Sequence, residues 1–218
     1  YTMDDVPTYG YDPSRALDLL ADAGWQRSAT TGTLQNNTER LLAFSLIASS
    51  ERHDLAMAEA IAAQWGRLGI SVTVEAVPPL ALSGVLDSRS YQSALARLVI
   101  PGDPDPYPFW HETQALPGQG QNYAGFDHRR ISEILEEARR TPDRNRRTEL
   151  YAEFQRLFME EVPALPLYVP IYTYGIDQRV NGGQIGSLMT PQDRFLSLPD
   201  WYVLQRRVVA SDEDPSLN

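Results

Sequence analysis

The amino-acid sequence predicts an α/β fold, a mixed and mainly parallel sheet flanked by helices. Two observations carry this. The apolar run 41–48, a helical stripe of Leu55, Ala58, Ile61, Ala62, Trp65 and Leu68, and the alternating run 70–77 set strand, helix and strand in succession. So short a βαβ unit requires parallel pairing through a right-handed crossover. The second observation is compositional: 42% hydrophobic and 10% aromatic residues in 218 supply a real core.

The elements follow in order. Asp12 caps a first helix, Pro13 suits its first turn, and Ala16, Leu17, Leu20 and Ala23 form its stripe. Gly24 offers the stop. Residues 28–38 are polar and read as a surface loop. Ser49 or Ser50 then caps the second helix, Glu51 suits its dipole, and Gly69 ends it. Pro78 and Pro79 lead into a short helix over 80–86. A third strand is expected over 94–100.

That strand delivers the chain into Asp-Pro-Asp-Pro-Tyr-Pro-Phe-Trp-His at 103–111. Prolines at 104, 106 and 108 fix φ and remove backbone donors, so an extended loop without helix is expected. It is either a rigid platform of aromatics and carboxylates for a small ligand or a connector whose aromatics plug the core. Past Gly118 and Gly120, one helix is marked by Ile131, Ile134, Leu135 and Ala138. Another carries Leu150, Phe154, Leu157, Phe158 and Val162. Residues 167–176 then read as a long strand, apolar on both faces and therefore covered on both. Signal weakens over 178–199, a short strand is expected at 201–204, and the acidic end reads as frayed.

Composition excludes several functions. Net charge is −10 with a pI near 4.7, which disfavours nucleic acid. With no cysteine, disulfides and thiolate metal sites are impossible. All 19 cationic side chains are arginine, so no Schiff-base or phosphate-loop lysine exists. No apolar run reaches about 18 residues, so no membrane-spanning helix is expected. His53, His111 and His128 lack metal-ligand spacing, and no nucleophile, zinc or dinucleotide motif occurs. Asp103 and Asp105 could form a carboxylate pair acting on a glycan, but such pairs come from separate elements. No enzyme activity, metal or cofactor is expected.

The order of features resembles family 5 of the extracellular solute-binding proteins, receptors of ATP-driven importers for oligopeptides, dipeptides and nickel. The resemblance rests on Tyr11-Asp12-Pro13-Ser14-Arg15-Ala16-Leu17 through Gly24-Trp25, then Leu55-Ala56 through Gly69-Ile70-Ser71-Val72. It continues with the proline loop, Asn122-Tyr123, Arg147 through Gln155, and Glu161-Val162-Pro163 through Tyr168.

It implies a type II periplasmic-binding-protein-like lobe, with residues 1–177 the C-terminal ligand-binding lobe. Residues 178–218 would be a return segment that docks on a missing N-terminal lobe. That lobe, with any signal peptide or lipid anchor, would precede Tyr1, and the protein would work outside the cytoplasm, in a periplasm or as a cell-surface lipoprotein. Its partners would be a peptide or other small solute, the missing lobe and the importer's permease subunits, without nucleic acid. The ligand-binding residues it implies, with the platform reading, are Arg97, Gly102, Asp103, Asp105, Tyr107, Trp110, Asn122 and Tyr123. In peptide-binding members an aspartate four residues before the proline of a P-x-x-F element holds the peptide ammonium. Gly102 stands at that position before Pro106, so the ligand is not expected to be held as an ordinary peptide amine. A protein-docking, sensor or chaperone module is the second reading and a glycan-acting hydrolase the third.

Overall fold

The computed structural model describes residues 6–100, 103–171, 173–184, 186, 188 and 190–204. The chain divides into two compact units, Tyr1–Leu165 and Pro166–Asn218.

In the first unit, α1 spans Pro13–Asp22. Asp12 Oδ1 accepts the Arg15 amide and Gly24 turns left-handed just after the end. Ala16, Leu17 and Leu20 are half-buried. The polar stretch after it is not a plain loop. β1 (Gln26–Arg27) and β2 (Leu34–Gln35) pair antiparallel, and Leu34 is buried. The polar composition hid this because only Leu34 turns inward.

The βαβ unit forms as expected. β3 (Ala43–Ser49) and β4 (Ser71–Val77) run parallel in register from Ala43↔Ser71 to Ser49↔Val77, joined by α2 (Arg52–Leu68). One strand face, with Leu46, Ala48, Val72 and Val74, packs on Ala58 and Ile61 of α2. Glu51, not a serine, is the N-cap residue of α2. It makes no side-chain cap, and Ser49 Oγ accepts the Glu51 amide instead. Gly69 closes α2 at φ 91°, and a Cβ there would lie 2.8 Å from Gly32 O. Glycine is therefore required both by the left-handed turn and by the approach of the β1–β2 hairpin.

α3 (Pro79–Ser88) follows, then β5 (Ser93–Ala94), which pairs parallel with β3 to give the order β4-β3-β5. β5 is shorter than the expected 94–100. Beyond Leu95, whose amide still reaches Ile47 O, the chain leaves the sheet, and Val99 and Ile100 are exposed. The reason lies ahead: residues 103–105 are bonded to two later helices, and the strand must swing toward them.

Those helices are α5 (Arg129–Arg140) and α6 (Arg144–Glu161), a hairpin capped at α6 by Asp143. Ile131, Ile134, Leu135, Ala138, Leu150, Tyr151, Phe154 and Phe158 form the larger core. Between β5 and α5 in the chain, a single helical turn, α4 (Tyr107–Trp110), packs Tyr107 and Trp110 on this core. The expectation that prolines exclude helix here is wrong. Pro108 occupies the first turn, where its missing N–H costs no bond, and Pro106 O accepts from Phe109 and Trp110.

In the second unit, β6 (Val180–Asn181) and β7 (Tyr202–Val203) pair antiparallel. The expected strand over 167–176 does not form among the described residues. No described residue of the unit pairs with it as a strand, and Val169 and Ile171 are 85% and 93% exposed.

Candidate functional site

Open parallel sheets bind ligands outside the carboxyl ends of their strands. Here β3 ends at that edge with Ser49, and α2 begins beside it. Asp54, in the first turn of α2, is buried, and its Oδ1 accepts from Arg97 Nη2 at 2.5 Å. The carboxylate suits the helix N-terminus and holds the arginine as an ion pair. The Arg97 side chain remains 63% exposed. The segment after β5 thus presents a cation, held by Asp54, at the carboxyl edge of the sheet.

The proline loop is fastened to the helical hairpin. Asp105 takes Arg139 with both oxygens, Nη2 to Oδ2 at 2.5 Å and Nε to Oδ1 at 3.1 Å. Asp103 pairs with Arg147, and Tyr151 donates its hydroxyl to Pro104 O at 2.9 Å. Tyr107 carries the Arg139 guanidinium 3.9 Å from its ring centre and the His111 ring at 4.1 Å. Phe109 is buried, and Trp110 meets Phe158 edge-on at 4.6 Å. The side chains of this loop are therefore rigidly placed, with both aspartates already paired to arginine.

Asn122 is a second fixed point, with 0% exposure. Its Nδ2 donates to His111 O at 3.1 Å and Phe126 O at 2.8 Å, and its Oδ1 accepts the Phe126 amide at 3.0 Å. Tyr123 O accepts the Tyr91 hydroxyl at 2.7 Å, and burial pushes the phenols of both tyrosines above their ordinary pKa. Arg89 locks the same stretch. It sits left-handed at φ 54° and donates to the carbonyls of Leu86, Ala115, Gln114 and Gly120. Its guanidinium lies 4.8 Å from the Tyr123 ring centre.

Three groups thus emerge. Arg97 is tied to α2, Asp103, Asp105, Tyr107 and Trp110 are tied to α5 and α6, and Asn122 and Tyr123 are locked by Arg89, His111 and Phe126. Gly102 lies outside the described residues. Sequence reading missed Asp54, Arg89 and Arg139. Asp54 had one signal, an acid in the first turn of a well-marked helix. The other two had none, because arginines on a predicted helix or at its end look alike whether paired or solvated. The description "bacterial extracellular solute-binding proteins, family 5 middle" fits residues 1–120, which include the βαβ unit and the proline loop.

Known proteins agree with this match. The dipeptide-binding protein of Escherichia coli K12 is 28% identical over 163 residues, 74% of this chain and 29% of that protein. The oligopeptide-binding protein AppA of Bacillus subtilis, solved with a nonapeptide, superposes with a TM-score of 0.73 at 20% identity. That alignment covers 94% of this chain and 40% of that one. NikZ of Campylobacter jejuni, solved with Ni(L-His), gives 0.67 at 25% identity, covering 74% and 33%. The chain spans about 30% of the length of the curated relatives it matches.

Proposed function

The chain belongs to family 5 of the bacterial extracellular solute-binding proteins, and on that premise we propose that it captures a peptide or related small solute for an ATP-driven importer. The observation that carries this is the family match over residues 1–120, whose span includes both the parallel sheet and the proline loop. The reading involves binding without covalent chemistry. A second lobe would close over the carboxyl edge of the β4-β3-β5 sheet, as periplasmic binding proteins close on ligand.

In this reading Arg97 pairs with an anionic group of the solute. Tyr107 and Trp110 supply flat apolar surface, and Asp103 and Asp105 the acidic wall beside it. Asn122 and Tyr123 border the same wall, and the sequence has Gly102 at the position of an ammonium-holding aspartate. The wall is set before ligand arrives, because Arg139, Arg147 and Tyr151 hold the loop, so little ordering entropy opposes binding. Residues 1–177 would serve as the ligand lobe and 178–218 as the return segment docking on the other lobe. The exposed apolar residues 167–171 suit a segment that another part of the protein covers. The receptor would stand outside the cytoplasm and deliver its solute to permease subunits.

The test is calorimetry on the intact receptor with a panel of dipeptides, tripeptides and a nickel–histidine complex. At least one should bind, and Arg97→Ala should weaken it about tenfold or more, the loss expected for a charge-assisted contact. Unchanged affinity in Arg97→Ala and Asp103→Asn would remove the site assignment. Failure of the whole panel would remove the solute class.

A further inference from the structure

Two histidines that the binding site does not use close helices in the same way. His111 precedes the 3₁₀ turn Glu112–Gln114, and its ring is 2% exposed. Its Nδ1 accepts the Thr113 amide at 3.2 Å and lies 2.9 Å from Thr113 Oγ1. Its Nε2 is 3.3 Å from Glu136 Oε1. His128 caps α5: Nδ1 accepts the Ile131 amide at 3.2 Å, and Nε2 faces Glu161 Oε1 at 3.9 Å. Each ring lies stacked on an aromatic, Tyr107 at 4.1 Å and Phe126 at 5.9 Å.

A backbone N–H aimed at Nδ1 requires a lone pair there. In this geometry Nδ1 carries no hydrogen, which leaves the ring proton on Nε2, toward a carboxylate. Among the described residues, the charged groups near His111 include Glu136, which also holds Arg140, Arg139 over Tyr107, itself held by Asp105, and the chain neighbour Glu112. Around His128 they are Glu161 of α6 and the chain neighbours Asp127 and Arg129. Protonation puts a hydrogen on Nδ1. The cap is lost at both, and at α5 positive charge arrives at a helix N-terminus already positive by its dipole. The carboxylates keep their contact with Nε2 in either state, so they cannot restore the missing acceptor.

The chain between these caps carries Asn122 and Tyr123, and Asn122 bonds the carbonyls of His111 and Phe126 near its two ends. We propose that His111 and His128 form a paired pH-sensitive catch on residues 111–128, closed when both rings are neutral and released when both are protonated. Its effect on solute capture rests on the site reading above. The catch itself is tested without ligand, so the two can fail separately.

The experiment is NMR of the intact protein, uniformly labelled with 15N, from about pH 8 to about pH 5, the range in which histidine titrates. At the alkaline end both rings should show bare Nδ1 and protonated Nε2. Across the titration, exchange protection of the Thr113 and Ile131 amides, corrected for intrinsic rates, should fall about 5- to 10-fold with the ring midpoints, the size of a lost cap. In His128→Asn, whose side-chain oxygen caps without titrating, Ile131 protection should stay constant with pH. An Nδ1–H tautomer at the alkaline end, pH-independent protection in the native protein, or persisting pH dependence at Ile131 in His128→Asn would each overturn the proposal.

Discussion

Replacing Asn122 by alanine tests whether that residue frames the site or merely borders it. The side chain is fully buried and makes three hydrogen bonds. His111 O keeps a second bond, from the Gln114 amide, but the Phe126 amide and carbonyl would lose the partner that Asn122 gives them. Leaving two backbone groups unsatisfied, with a third weakened, costs about 3 kcal/mol at roughly 1–3 kcal/mol each. For a protein of this size that lowers Tm by about 6–12 °C. Near-UV circular dichroism during thermal unfolding measures it. Asn122→Asp should be no better, since a carboxylate cannot donate to the two carbonyls. A Tm within about 2 °C of the native value, less than 1 kcal/mol at this size, would show that the backbone groups find other partners and that Asn122 does not frame the loop.

Gly69→Ala should lower stability by clearly more than Gly24→Ala, as read from urea midpoints. Both sites are left-handed, at a cost of about 1–2 kcal/mol for alanine, but only at Gly69 does the new Cβ strike a backbone carbonyl. Equal losses would mean that the hairpin carbonyl simply moves. The Arg130 guanidinium, hydrogen-bonded to Glu153, holds that carboxyl below its ordinary pKa. Its stability contribution is therefore present above the unfolded-state pKa, about 4.3, and is lost as pH falls through the lower folded value. Glu153→Gln should accordingly flatten the acid limb of the stability curve and change little at a pH low enough to protonate Glu153 in both folded and unfolded chains; an unaltered acid limb would count against the pairing. The 218-residue chain alone should show no micromolar binding of the peptide panel by calorimetry, because pockets of this kind form between lobes. Micromolar affinity in the isolated chain would show that one lobe suffices.

The elements legible in the sequence were those whose periodicity reports a contact made nearby. The stripes of α2, α5 and α6 face what their spacing requires, and β3, α2 and β4 form the expected parallel unit. The failures share a different cause. Residues 167–176 carry a strand pattern, but a pattern cannot supply the neighbouring ladder that a strand needs. β5 ends early because ion pairs with Arg139 and Arg147, far along the chain, draw residues 103–105 toward the helices. α4 forms because proline forbids helix interiors, not first turns. Within the site, the candidate loop was visible from its proline and aromatic density. Asp54 beneath Arg97, and the cap geometry of His111 and His128, depend on side chains meeting across elements, which spacing alone does not encode.

On the proposed reading, this chain is the ligand-holding part of a receptor that binds a solute and releases it unchanged. Native mass spectrometry of the intact protein, followed by identification of whatever it releases on denaturation, tests this most directly. A single non-covalent small solute, a short peptide or a related compound, should be recovered intact and should rebind to the emptied protein. A protein that carries no solute and takes up none, or one that returns a chemically altered product, would contradict it.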